Sequence, residues 1–116
     1  MALKNQVSYS VILGVILRHY RKRLKLNQRD LAKVTGQTTL SRIEAGSVNL
    51  SVTDLRTLAI SLGTNASVVL EEVEEFRKNL MLAGVDCMEE YHPAGYEDGM
   101  ITLDYKALYI LYLQGI

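Results

Sequence analysis

The stretch LNQRDLAKVTGQTTLSRIEAG, residues 26–46, decides the fold. Asn27 is a good N-cap, Gln28 and Arg29 follow in a first turn, and Asp30 suits the positive end of a helix dipole. Leu31, Ala32 and Val34 supply an inner face, and Gly36 is a natural terminator, so this helix is short. A new helix is expected from about Gln37. It turns Leu40 and Ile43 inward at i and i+3, leaves Thr38, Thr39, Ser41 and Arg42 outward, and stops at Gly46. Two short helices separated only by a glycine turn are the helix-turn-helix signal.

Working outward, Leu13, Ile16, Leu17, Tyr20 and Leu24 recur at spacings of three and four, which predicts an amphipathic helix from about Ser10 to Leu24. Its polar side is basic: Arg18, Arg21, Lys22, Arg23 and Lys25. Downstream, Ser51-Val-Thr-Asp54 has the spacing of a capping pair and opens a fourth helix, with Leu55, Leu58, Ala59 and Leu62 inward until Gly63. Asn65 caps a longer fifth, in which Val69, Val73, Phe76 and Leu80 repeat at four, three and four and Glu71, Glu72, Glu74 and Glu75 crowd the early turns. Beyond Gly84 the signals weaken. VDCMEEY is compatible with a strand, HPAGYEDG reads as a loop, and MITLDYKALYILYLQ is expected as a hairpin or as a strand followed by a helix.

A chain of 116 residues is one ordinary domain, and 48% hydrophobic content with one proline excludes disorder. The single cysteine, Cys87, rules out an internal disulfide, and with only His19 and His92 beside it a four-ligand Cys/His zinc site cannot be assembled. Neither a metal nor a cofactor is expected. Cys87 near His92 lacks a third catalytic group, so an enzyme is disfavoured as well. The start, MALKNQVSYS, has no apolar signal core, and ALYILYL is too short to span a bilayer, so a reducing cytoplasm is the expected setting.

Thirteen Lys and Arg balance thirteen Asp and Glu, and a formal charge of zero argues against a nucleic-acid partner. The average conceals a division. Residues 1–65 hold ten basic and three acidic side chains, a net +7, while residues 66–116 hold three and ten, a net −7. The expected organisation is therefore a basic helix-turn-helix core, 1–65, and an acidic segment, 66–116, comprising the fifth helix and a tyrosine-rich extension.

The segments LNQRDLA, TLSRIEAG and LRTLAISLG occur in an order and at separations that resemble the helix-turn-helix regulators of the lambda repressor and Cro type, the XRE family. The resemblance covers about residues 10–72. It implies a mainly α fold of five short helices, the third lying in the DNA major groove, to which the segment beyond Gly84 adds a C-terminal extension of strand or helix. It also implies that Gln37, Thr38 and Arg42 read bases, with Thr39 and Ser41 nearby. Gln can bond adenine bidentately, and Arg can grip the two acceptors of guanine. Gln28 matches a phosphate contact, with Arg18, Arg29 and Lys33 as further candidates. Arg21 and Glu44 match a pair that forms an internal ion pair in many members. One departure stands out: two residues usually found between the glycine and the reading helix are missing. Either the turn is tighter or Val34-Thr35 take those places, which leaves the start of the reading helix open by a residue or two.

The expected partner is double-stranded DNA, bound by a cytoplasmic, nucleoid-associated homodimer on an inverted repeat, because pairing two subunits doubles a small footprint. Val69, Val73, Phe76 and Leu80, with Tyr105, Tyr109 and Tyr112, are the candidate dimer interface; the tyrosines fit a core lid equally well. The alternative is an antitoxin-like regulator whose acidic half, 66–116, binds a partner protein.

Overall fold

The structure, a computed structural model, describes residues 3–35 and 37–116. Strand β1 (Lys4–Ser8) leads directly into α1 (Tyr9–Arg23). A 3-10 turn (Gln28–Leu31) and α2 (Ala32–Thr35) make up the short second helix, followed by α3 (Gln37–Ala45), α4 (Val52–Ser61) and α5 (Ala66–Leu82). The chain ends with β2 (Val85–Met88), β3 (Gly95–Glu97), β4 (Met100–Thr102) and α6 (Tyr105–Leu113).

Several of these boundaries are set locally. The Ser51 side chain accepts a hydrogen bond from the Asp54 amide at 3.0 Å and Asn65 accepts one from Val68 at 3.0 Å, so both expected caps are made. Asp104 does the same for α6, accepting from Ala107 at 2.8 Å. Asn27 and Asp30 exchange side-chain and backbone bonds at 3.0 and 2.8 Å at the start of the second helix.

Helix α1 is the axis of the core, and its neighbours correct the inner face expected for it. It packs against α3, α5, α6 and β1 together. Val11, Ile12, Val15, Ile16 and Leu17 are buried, whereas Leu13 and Tyr20 are half-buried and Leu24 is exposed. A helix covered on several sides needs apolar residues around most of its first three turns, so a single stripe describes only part of it. Gly14 explains the closeness of α3: a Cβ there would lie 2.5 Å from the Glu44 carbonyl oxygen and 2.6 Å from that of Ile43. At the far end of α3, Gly46 takes φ +78°, and a Cβ would sit 2.5 Å from the Val11 Cα.

The strands form a four-stranded sheet in the order β2-β1-β4-β3. Strand β1 runs parallel to both β2 and β4, with Val7 beside Cys87 and Asn5 beside Ile101. The whole run from α1 to α5 is thus the crossover between two parallel neighbours. The charge division at residue 65 does not divide the sheet, because its central strand comes from the N-terminus. Strands β3 and β4 form a hairpin; β3 lies in the HPAGYEDG stretch expected as loop, whereas β4 and then α6 follow the strand-then-helix alternative expected for the last segment. Asp98 (φ 51°) and Gly99 (φ 80°) turn the hairpin with both central residues left-handed, as a type I′ turn requires.

The ladder Val69, Val73, Phe76 and Leu80 points into this same core, each residue 2% exposed or less. These four side chains therefore offer no surface to a second subunit, which corrects their expected place in a dimer interface. They face inward because α5 packs on α1, α4 and β2.

Candidate nucleic-acid interface

Helix α3, the candidate reading helix, runs from Gln37 to Ala45. Leu40 and Ile43 anchor it in the core, and the intervening Thr39, Ser41 and Arg42 are exposed on its other side. The side chains of Gln37 and Thr38, two of the expected base readers, lie outside the described residues. Among the described residues Arg42 enters no ion pair, so its guanidinium is available to a ligand. On the preceding helix Arg29 and Lys33 are likewise exposed. These exposed cations and hydroxyls, the candidate surface, are carried by two successive helices.

A buried hub holds that surface in shape. Glu44, 1% exposed near the C-terminus of α3, accepts the Arg21 fork from α1, Nε to Oε2 at 2.6 Å and Nη2 to Oε1 at 2.9 Å. The remaining Arg21 nitrogen, Nη1, donates to the Leu26 carbonyl at 2.8 Å. Gln28 Nε2 donates to Glu44 Oε1 at 3.0 Å. One carboxylate thus ties α1, the start of the second helix and the reading helix together. Bidentate geometry and full hydrogen bonding are what make such a burial tolerable.

Gln28 and Arg18 stand differently from the way the family likeness implies. One amide hydrogen of Gln28 is given to Glu44, which leaves its second for a phosphate. Arg18 is turned inward. Its Nη1 lies 3.9 Å from Glu44 Oε1, and its guanidinium sits over the rings of Tyr105 and Tyr109, 5.4 and 5.9 Å from their centroids. In this position it makes no outward contact with a phosphate, because α6 lies against α1 and covers it.

The tyrosines of α6 do act as a lid on the core. Tyr112 meets Phe76 edge-on at 5.0 Å and His19 at 4.9 Å, and Tyr109 meets His19 at 6.3 Å. All three are partly buried against their own chain, so the part of each ring engaged here is withdrawn from a dimer contact. Burial, reinforced by Arg23 and opposed by Glu72, pushes the His19 imidazole below its usual pKa. Its neutral form is therefore favoured in the fold. Burial and a 2.8 Å hydrogen bond to Glu74 push the Tyr9 hydroxyl up to about 12. Cys87 is also pushed up, chiefly by burial, which keeps it a thiol rather than a nucleophilic thiolate.

The covering of Arg18 by α6 is the feature that sequence reasoning missed. A signal existed: Tyr105, Leu108, Tyr109 and Tyr112 share one helical face, and a face so rich in aromatic groups seeks cover. What it covers could not be read from that pattern.

Among the described residues no group of His, Cys, Asp and Glu is placed to hold a metal ion, and no helix is long and apolar enough to cross a membrane.

A family model described as helix-turn-helix matches residues 17–69. Among solved structures the chain is similar to the clp gene regulator ClgR from Corynebacterium glutamicum. One such structure shares 28% identity at a TM-score of 0.54, covering 58% of this chain and 90% of that one. A second, at 24% identity and a TM-score of 0.53, covers 65% of this chain and 93% of the other and speaks to fold alone. No curated protein matches the chain. Residues 17–69 are thus similar to the helix-turn-helix family, and the sheet and last helix lie outside the match.

Proposed function

We propose that the protein is a sequence-specific DNA-binding transcriptional regulator of the cytoplasm, a repressor that binds an inverted-repeat operator as a homodimer. The observation that carries this reading is the outward face of α3, where Thr39, Ser41 and Arg42 are exposed on a helix locked from behind by Glu44. Arg42 reads a guanine through its fork, Gln37 and Thr38 complete the base contacts, and Thr39 and Ser41 serve bases or the adjoining backbone. Arg29, Lys33 and the free amide hydrogen of Gln28 hold phosphates. One such helix contacts only a few base pairs, and two-fold pairing doubles the site. The dimer surface lies outside the buried ladder of α5. The similarity to a gene regulator supports the same reading.

Selection of bound duplexes from a random pool, with the mass of the complex measured, tests this. An inverted repeat bound by two chains is the expected outcome, and a reporter under that site should fall in output. Arg42→Ala should cost about 1–3 kcal/mol at one base pair of each half-site, whereas Lys33→Ala should weaken all sequences alike. A pool that yields no consensus, or an unaltered consensus for Arg42→Ala, defeats the proposal.

A further inference from the structure

We infer that α6 masks a phosphate-binding cation: Tyr105 and Tyr109 hold Arg18 turned inward, and this lowers the protein's general attraction to polyanions such as DNA. The inference rests on the DNA-binding reading above for its biological meaning, and on local geometry for its substance.

Arg18 stands one turn before Arg21 on α1, and its Nη1 approaches Glu44 Oε1, the same oxygen that accepts from Gln28. Its guanidinium therefore approaches the same carboxylate as Gln28, the neighbour in sequence of the exposed Arg29. The Arg18 side chain retains 25% exposure. A short swing would carry it into the open.

Two attractions oppose that swing, the Glu44 carboxylate at 3.9 Å and the two rings. At 3.9 Å the contact with Glu44 is too long for a hydrogen bond, and Glu44 is already satisfied by Arg21 on both oxygens. Arg18 Nε is buried without a hydrogen-bond partner. A guanidinium with a stranded donor is held by something other than hydrogen bonding. The two tyrosine rings, at 5.4 and 5.9 Å, supply the attraction of a π face for a cation. Lys22, exposed, lies 5.7 Å from the Tyr109 ring. The tyrosines do this without adding a carboxylate. The inward pose of Arg18 thus depends on whether α6 is docked.

The test compares salt dependence across variants of the full chain, on selected or random duplex DNA and on a heparin column. Each phosphate newly neutralised steepens the plot of log K against log salt by about 0.9. Tyr105→Leu/Tyr109→Leu, which keeps apolar bulk but removes the π faces, should steepen the slope by about one contact and elute later from heparin. Tyr105→Phe/Tyr109→Phe should match the wild type. Arg18→Ala should leave the wild-type slope unchanged and should cancel the gain in the leucine background. The inference is overturned by a leucine variant with wild-type slope and elution, by a gain that survives Arg18→Ala, or by a wild-type slope that drops by one on Arg18→Ala. Should the leucine pair not fold, Tyr105→Ala alone and Arg18→Ala in the intact chain give the same two readings. Heparin retention separates the two ideas: Arg18-dependent shifts in a protein that selects no DNA sequence defeat the proposed function and leave the mask standing. A clear consensus with flat slopes does the reverse.

Discussion

Helix α3 and helix α6 are both nine residues long and both dock on α1, yet they treat its basic residues in opposite ways. Helix α3 takes Arg21 into a fully bonded, buried pair with Glu44 and leaves its own Arg42 in solvent. Helix α6 sets aromatic rings over Arg18 and beside Lys22 and offers neither a carboxylate in return. The first contact is directional and specific, so it can set the angle of a reading helix. The second is a layer of area and polarisability, which can hide a cation but aims nothing. Where a surface has to be oriented, this molecule uses a buried ion pair; where one has to be kept quiet, it uses tyrosine.

Breaking the comparison at its directional end has the largest expected effect. Glu44→Ala strands Arg21 in the core and should lower stability by about 3–5 kcal/mol in urea denaturation. The loss should extend to DNA binding well below the midpoint, because the α1–α3 angle is released. On the α6 side, Leu108 is fully buried, and Leu108→Ala should cost about 2–5 kcal/mol. The shape of that transition sharpens the comparison: one cooperative transition shifted as a whole shows that α6 belongs to the same folding unit as the helix-turn-helix, and two separated transitions show a detachable lid.

Smaller effects follow from local groups. Ser51→Ala removes the acceptor for the Asp54 amide and should cost about 1 kcal/mol, confined to α4 in hydrogen exchange. His19 provides the gentlest probe. Its folded pKa is depressed below the ordinary value of about 6.5, so the native state holds its proton less tightly than the unfolded chain. Stability is then full above that ordinary value and falls as pH drops through it towards the lowered folded value. His19→Gln should flatten the stability profile across that window relative to wild type, and an unchanged difference between the two proteins from pH 7 to pH 5 would refute it.

Much of the helical region could be read directly. The caps Ser51 and Asn65, the stops at Gly46 and Gly63, and the apolar spacing of α4 and α5 act over three or four residues, and a single sequence contains everything such signals need. The exposed face of α3 was legible for the same reason. The hairpin at Asp98-Gly99 carried a type I′ signal that was not read, because the Gly and Pro around it made β3 look like loop. Strand β1 was not legible. KNQVS has neither alternation nor an apolar run, and it is a strand because β2 and β4, about eighty and ninety-five residues away, lend it their hydrogen bonds.

By itself the sequence determined the helices of the 17–69 domain, the direction in which α3 presents Arg42, and the division of a neutral chain into a basic and an acidic half. These rest on periodicity, capping and counting, all of them short-range. Only the tertiary structure decided what lies against each face: that the α5 ladder faces the core instead of a partner, that β1 is the middle of a sheet, and that Arg18 points at tyrosine and not at solvent. The physical reason is range. An apolar or cationic side chain declares that it needs a neighbour, and which neighbour arrives depends on how distant parts of the chain pack.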